Sequence, residues 1–352
     1  MAMSLSTTDK LITSGTLADL IDISLAVTRP RTLVADQITA YLEQDHKTLN
    51  ESILNEMLAA FKKAITRQLM QPRMNRTGYE STTSYTGPCA RKARLQYDGV
   101  KGEPVQARSM LKFLLGDLVE LAVVGIAQLA GVTLVDNNRD LFITGKDGVK
   151  VNVHPDGRVV DVFLDNPDLS RHYNFECKSC DSHTFDKWLE QGGPGDDWGY
   201  LTQCSIEIAA WREAGYDVDS TCFVAVSTGS RQGSIAEWII PYDQKLVDGW
   251  HARRALARAE SVPPIPFELE EETDYKAGKV IDAEAFVHGE AKPRVNAKGA
   301  VYGWDVCTGR KILPMVCSYC QYKQHCHPGA VMEVKGGRPV WVMAKEGRDD
   351  VG

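Results

Sequence analysis

Long uncharged apolar runs are missing from this 352-residue sequence. The most apolar stretch, residues 111–130, contains Lys112, Asp117 and Glu120, which argues against a membrane span and against a membrane partner. No basic segment followed by an apolar one opens the chain, so export is not expected and a cytoplasmic location is. Internal repeats are absent too, which leaves out solenoids and propellers. An overall basic balance is also lacking. The 40 Lys and Arg against 47 Asp and Glu give −7, an average that speaks against a nucleic-acid partner. What is present is ordinary for a soluble chain, 43% apolar and 25% charged. It is long enough to bury a sizeable core and to carry a main domain with appendages.

The average charge hides an asymmetry. Between residues 61 and 101 stand nine basic residues, Lys62, Lys63, Arg67, Arg73, Arg76, Arg91, Lys92, Arg94 and Lys101, against Glu80 and Asp98. This local excess of seven leaves −14 for the remainder. A basic segment on an acidic body suits phosphate contact, and it suits a solvated helix face equally well.

Residues 17–27, 33–42 and 51–69 have apolar helical spacing, so residues 1–78 read as an N-terminal helical region without a catalytic constellation. Residues 78–88 form a Ser/Thr/Tyr/Gly boundary loop, and Cys89 leads into a basic helix. Residues 110–130 read as a mostly buried helix with Glu120 in its middle. An acid there needs a partner or a cation, unless it shares a solvent stripe with Asp117. Further on come helices at 183–191 and 198–214, strands at 221–227 and 235–240, and a basic helix at 244–260 carrying Arg253, Arg254 and Arg258. Together they imply an α/β core with a mixed sheet over residues 79–262. From 263 onward, three prolines, the acidic run 268–274 and the polar stretch 286–300 read as a linker before a C-terminal cysteine-cluster region ending at 352.

The chemistry concentrates in residues 151–178. β-rich runs at 151–153 and 158–164, turn residues at 165–168 and a returning strand at 172–178 predict a hairpin. An antiparallel return brings Glu176 beside Asp156. Alternation then puts Glu176 and Lys178 on one face and Cys177 on the other. Two acids and an amine so converged can bind Mg²⁺ or Mn²⁺ through carboxylate oxygens, with the Cys177 main-chain carbonyl as a further donor. Glu120 would complete the set, and His154 is another possible ligand. Such a centre hydrolyses phosphodiesters: the cation activates water, and Lys178 steadies charge on the phosphate.

A second signal is Cys317-x2-Cys320-x5-Cys326. Three clustered cysteines suit one soft metal centre, whereas a [4Fe–4S] cube or a structural zinc wants four ligands. Cys89, Cys307, His325 and His327 are the rival fourth ligands, and three reduced buried thiols are the alternative without metal. Cys177-x2-Cys180 with His183 could also suggest zinc, but Cys177 facing away from the acids reads better as a core thiol. Arg91, Lys92, Arg94, Arg253 and Arg254 are candidate contacts to a DNA backbone. Tyr85, Tyr97 and Trp198 could stack on unpaired bases or pack in the core.

The set Cys89-x-Arg91-Lys92, Gly116-x3-Glu120, Asp156, Glu176-x-Lys178, Gln203 and Cys317-x2-Cys320-x5-Cys326 resembles the RecB-like nucleases of the PD-(D/E)XK superfamily. The likeness is to the iron–sulfur branch that includes CRISPR-associated exonucleases and AddB-type nuclease domains, and it spans about residues 85–330. It implies a restriction-endonuclease-like core and a metal-dependent DNA exonuclease acting on single strands or duplex ends. It further implies Asp156, Glu176, Lys178 and Gln203 as catalytic residues, a [4Fe–4S] cluster on Cys89, Cys317, Cys320 and Cys326, and DNA contact by Tyr200. A recombination, repair or CRISPR-adaptation protein is the partner class it implies. Two positions depart from the pattern. Glu120 stands where the family has His, and the family's Gln-x3-Tyr is Gln203-x3-Glu207 here, with Tyr200 one turn earlier. The competing readings are a non-catalytic DNA-binding or recombination subunit that keeps the fold, and the same nuclease with zinc at the cysteines.

Overall fold

A computed structural model of the chain describes residues 32–45, 47, 49–70, 80–104, 107–162, 170–229, 233–278, 291–296, 298–335 and 338–343. The helix expected at 17–27, Arg73, Arg76 and the turn residues 165–168 lie outside these. In chain order come α1 (Ala35–Leu42), α2 (Glu51–Met70), α3 (Thr83–Thr86), α4 (Ala90–Tyr97) and α5 (Ala107–Leu129). There follow β1 (Leu134–Val135), β2 (Leu141–Thr144), β3 (Lys150–Val153), β4 (Gly157–Val162), β5 (Ser170–Cys180), α6 (Ser182–Gln191) and α7 (Tyr200–Glu213). Next are β6 (Val218–Ser227), β7 (Ile235–Pro241) and α8 (Gln244–Arg258). The fold is mixed α/β with several sheets.

The main sheet has the order β1-β4-β5-β6-β7. β4 and β5 pair antiparallel, with Gly157 opposite Phe175. β5 and β6 run parallel, with Glu176 opposite Phe223 and Lys178 opposite Ala225. A parallel neighbour requires a crossover, and α6 and α7 supply it. Phe175, Cys222, Phe223, Val224 and Ala225 are fully buried, and Phe175, Phe223 and Val224 each contribute about 1.5–3 kcal/mol. On one face, Val123, Val124 and Ala127 of α5 pack against Phe175, Cys177 and Val224. On the other lies α7, buried on nearly all sides because α8 and the β2–β3 hairpin cover it from outside through Trp250, Val247, Ile143 and Val151. Glu237 of β7 accepts the Leu33, Val34 and Ala35 N–H groups at 2.7–3.0 Å. A carboxylate so seated at the start of α1 fixes it to the sheet edge.

The C-terminal part departs from the linker expected there. β8 (Glu270–Ala277), β9 (Ala291–Val295), β10 (Val301–Ile312), β11 (Ala330–Lys335) and β12 (Arg338–Met343) form a second sheet. Between β10 and β11 lie the short helices α9 (Met315–Ser318) and α10 (Lys323–Cys326). The acidic run is a strand because one of its acids points inward. Glu272, 2% exposed, accepts from Arg310 Nε and Nη2 at 2.7 Å and from Lys335 Nζ at 3.0 Å. These bonds, Arg310 first, hold its carboxyl down at about 2.

Candidate active site

β5 should read as a continuous apolar run, since both of its faces are covered. Asn174 and Glu176 break that rule while staying buried, so their polar atoms must find partners. Alternation sends Tyr173, Phe175 and Cys177 to the α5 side, which leaves Asn174, Glu176 and Lys178 for the α7 side. Asp156 directly precedes β4 and falls opposite Glu176 when the register is continued. Its Oδ2 accepts the Cys177 backbone N–H at 2.8 Å.

Lys178 Nζ donates to Glu176 Oε1. Gln203 Nε2, from α7, donates to the same oxygen at 3.1 Å and to Glu207 Oε1 at 2.9 Å. Glu207 Oε2 accepts from Asn174 Nδ2 at 2.8 Å, and Asn174 Oδ1 accepts the Trp211 indole N–H at 3.0 Å. The amide orientations of Gln203 and Asn174 are therefore set by their neighbours. One atom is left out: Glu176 Oε2 is buried without a hydrogen-bond partner.

Glu120 approaches from the α5 side. A Cβ on Gly116 would stand 3.7 Å from Ser179 Oγ, so α5 passes the end of β5 one turn before Glu120. Burial, then the charge of Asp156, push the Glu120 carboxyl up to about 8, with Lys178 opposing. The same two causes push Glu207 up to about 7. Burial also raises Asp156, again against Lys178. Three acids raised together, with Lys178 the cation common to all three, mark a centre short of positive charge.

The position of Gln203 depends on the entry to α7. Gly199 has φ +81°, and a Cβ there would meet the Thr86 carbonyl oxygen at 2.4 Å. Only glycine accepts both conditions. The contact joins α7 to the loop before Cys89.

Cys89, Cys317, Cys320 and Cys326, separated by as many as 237 positions in sequence, line one cavity of about 140 Å³. Cys89 caps α4, its Sγ accepting the Lys92 N–H at 3.4 Å. Burial, then the neighbouring Cys89, Cys320 and Cys326, raise the Cys317 thiol to about 12. Burial leads the rise at Cys89 and Cys320 as well, with Cys326 adding to each. His327 lines the cavity too, with Nε2 buried and unpartnered. Cys307 sits on β10 opposite Thr273 and is not part of the lining. Among the described residues, no three His, Cys, Asp or Glu side chains stand ready as placed to hold an ion. No helix among them is long and apolar enough to cross a membrane.

The expected DNA contacts are treated unevenly. Arg254 is withdrawn from solvent at 4% exposure, with Nη1 on Asp147 at 2.7 Å and Nη2 on Glu80 at 3.0 Å. The expectation that it grips DNA is corrected, since its charge is spent inside the fold. Arg253 donates to the Tyr85 carbonyl at 2.7 Å, Arg91 to the Pro263 carbonyl at 2.9 Å, and Arg94 to Asp98 at 2.6 Å. Lys92 is exposed. Tyr200 is half-buried, edge-on to Trp188 at 5.6 Å, while Trp198 stays 43% exposed beside Tyr319. His154 Nδ1 lies 2.8 Å from Asp140.

Glu207 and Asn174 were not among the expected site residues. The signal for Glu207 was an acid between Ile206 and Ile208, one turn after Gln203, on a helix otherwise rich in apolar residues. For Asn174 it was a polar residue two before Glu176, hence on the same strand face.

No family model matches the chain, and no curated protein sequence does. Among solved structures, the crystal structure of SSO0001 superposes with a TM-score of 0.36 and 12% identity, over 61% of this chain and 89% of that one.

Proposed function

We propose that the protein is a Mg²⁺- or Mn²⁺-dependent deoxyribonuclease with a restriction-endonuclease-like core, an exonuclease on single strands or duplex ends, carrying a structural [4Fe–4S] cluster. The observation that carries this reading is that Lys178 and Gln203 meet at one oxygen of Glu176 beside Asp156, while its other oxygen is buried with no hydrogen-bond partner. A carboxylate so placed is costly unless a cation meets it. The all-oxygen set of Glu120, Asp156, Glu176 and the Cys177 carbonyl fits a hard divalent ion. When bound, that ion neutralises the scissile phosphate and lowers the pKa of an attacking water.

The chain's own groups do the rest. Gln203 fixes Glu176 by bonding one oxygen and leaving the other free, while Glu207 and Asn174 fix Gln203. Lys178, a quarter exposed at the edge of the site, meets the phosphate oxygens and stabilises the charge they gain as water adds to phosphorus. The bond to one ester oxygen then breaks, and that oxygen leaves with a proton.

The four cysteines support the cluster. Thiols that raise one another around a cavity are relieved when a cationic metal centre binds them as thiolates. A single zinc would draw four ligands to about 2.3 Å from one point, and the choice of the iron–sulfur group over it rests on the family resemblance. The test is anaerobically purified protein assayed for iron and for cleavage of end-labelled single and double strands with Mn²⁺. Iron together with cleavage is expected. Zinc without iron would shift the cysteine site to the alternative metal, and DNA binding without cleavage would favour the non-catalytic subunit.

A further inference from the structure

Helix α2 lies outside the family resemblance and adds no side chain to the lining of the cysteine cavity. It lies along α5, and a groove of about 610 Å³ opens between them and the loops around residues 137–140 and 154. Glu120 is part of the groove's lining, so the groove runs up to the carboxylate centre. From α2, Lys63 and Arg67 line it, and Asn137 and Asn138 line it from the loop after β1.

The charges in the groove are arranged in a particular way. Arg67 Nη2 lies 2.7 Å from Asp117 Oδ2, and Gln68 Nε2 donates to the same oxygen at 2.7 Å. Asp117 is three residues before Glu120, on the same side of α5, so Arg67 hangs beside the entrance to the centre. Its side chain is 56% exposed. Asp140 is met by His154 at 2.8 Å, and Ser52 Oγ lies 3.4 Å from Glu56. Lys63 is exposed, with no carboxylate at ion-pair distance among the described residues. If Arg67 turns toward a ligand, Gln68 still satisfies Asp117. A guanidinium held this way is suited to bidentate contact with phosphate, and the groove has the volume of a small-ligand site.

We infer that this groove holds the phosphate backbone of the DNA strand next to the scissile phosphate, with Lys63 and Arg67 as its phosphate-binding cations. The inference rests on the nuclease reading above and gives the N-terminal helix a part in it. α2 becomes one wall of the substrate path, and α5 with Glu120 the other.

The test is the salt dependence of binding of a fluorescent single-stranded oligonucleotide by the full chain, with Ca²⁺ in place of Mg²⁺. Each lost phosphate contact makes log affinity against log salt shallower by about 0.7 for a single strand. The Lys63→Gln, Arg67→Gln double variant is therefore expected to be shallower by about 1.4. Between 50 and 200 mM salt, the parent should then lose about sevenfold more affinity than the variant. Arg67→Lys should keep the parental slope. Lys62→Gln also removes an α2 charge, but Lys62 does not line the groove, and its slope should not change. Both replaced side chains are exposed, and a thermal transition matching the parent's checks the fold. Parental slopes in the double variant, with the parent binding DNA, would overturn the inference and leave the nuclease reading standing. An equal change in Lys62→Gln would overturn it as well. A parent that binds no DNA would remove the nuclease reading and this inference with it.

Discussion

Replacing Lys178 by methionine keeps most of the stem and removes the charge that opposes three raised carboxyls. Lys178 is the pair partner of Glu176, which is 1% exposed. Breaking a buried pair by removing one partner costs roughly 3–5 kcal/mol. Because the ammonium is a quarter exposed, solvent screening lowers the cost below that range, to about 2–3 kcal/mol. Without divalent metal, that corresponds to a fall in Tm of roughly 3–4 °C for a chain of this length. The loss should be larger at pH 8 than at pH 6, because Glu120 and Glu207, raised to about 8 and about 7, take up protons in between and relieve the missing charge. Mn²⁺ should restore part of the lost Tm, since a bound cation opposes the same carboxylates. Cleavage should fall at least about a hundredfold, the scale of losing one donor to a developing oxyanion. Differential scanning fluorimetry with and without Mn²⁺ at both pH values, run beside a cleavage assay, reads all of these. A variant as stable as the parent in chelator at pH 8, or one that cuts DNA at the parental rate, would refute the reasoning.

Other outcomes follow from the same geometry. In chelator, stability should fall as pH rises from about 4.5 toward 8, because the folded protein holds protons on Glu120 and Glu207 that the unfolded chain releases. It should also fall as pH drops from about 4.5 toward 2, where Glu272 loses its ionised form. A pH series of denaturant midpoints that is flat from 5 to 8 would contradict the first limb. Cys320→Ser should abolish stoichiometric iron in anaerobic protein, read by metal analysis, whereas Cys307→Ser should keep it. Arg254→Met takes the buried one of two shared cations from Glu80 and Asp147 and leaves them Arg258 alone. It should cost about 1–3 kcal/mol in a urea melt, since Arg258 remains and Asp147 is partly exposed, while leaving the salt slope of DNA binding unchanged. Gly199→Ala should destabilise the chain and slow cleavage together, since the clash with the Thr86 carbonyl displaces the helix that carries Gln203.

The grouping of Asp156, Glu176 and Lys178 was legible because it needs only strand alternation and an antiparallel return of known register. The Cys317–Cys326 grouping was legible from spacing alone, which left its fourth member open; the family resemblance pointed to Cys89, and the fold puts Cys89 in the same cavity lining and Cys307 outside it. Arg254 misled because its partners Glu80 and Asp147 lie 174 and 107 positions away, and a basic helix looks the same whether its arginines face DNA or buried acids. The second sheet was hidden in polar strands. β8 shows a single buried position, Glu272, so neither apolar alternation nor turn chemistry announced it. The groove that includes Lys63 and Arg67 was illegible for another reason. It exists only through the docking of α2 on α5, a tertiary choice that the periodicity of either helix leaves open.

The central claim is that a cation held by Asp156 and Glu176 touches the phosphate being cut. The most direct measurement is cleavage of an oligonucleotide carrying one phosphorothioate of defined stereochemistry, compared in Mg²⁺ and in Mn²⁺, which accepts sulfur more readily. The account predicts that one of the two diastereomers is cut slowly with Mg²⁺ and regains its rate with Mn²⁺. Equal rates for both diastereomers in both metals, or cleavage that persists in chelator, would contradict it.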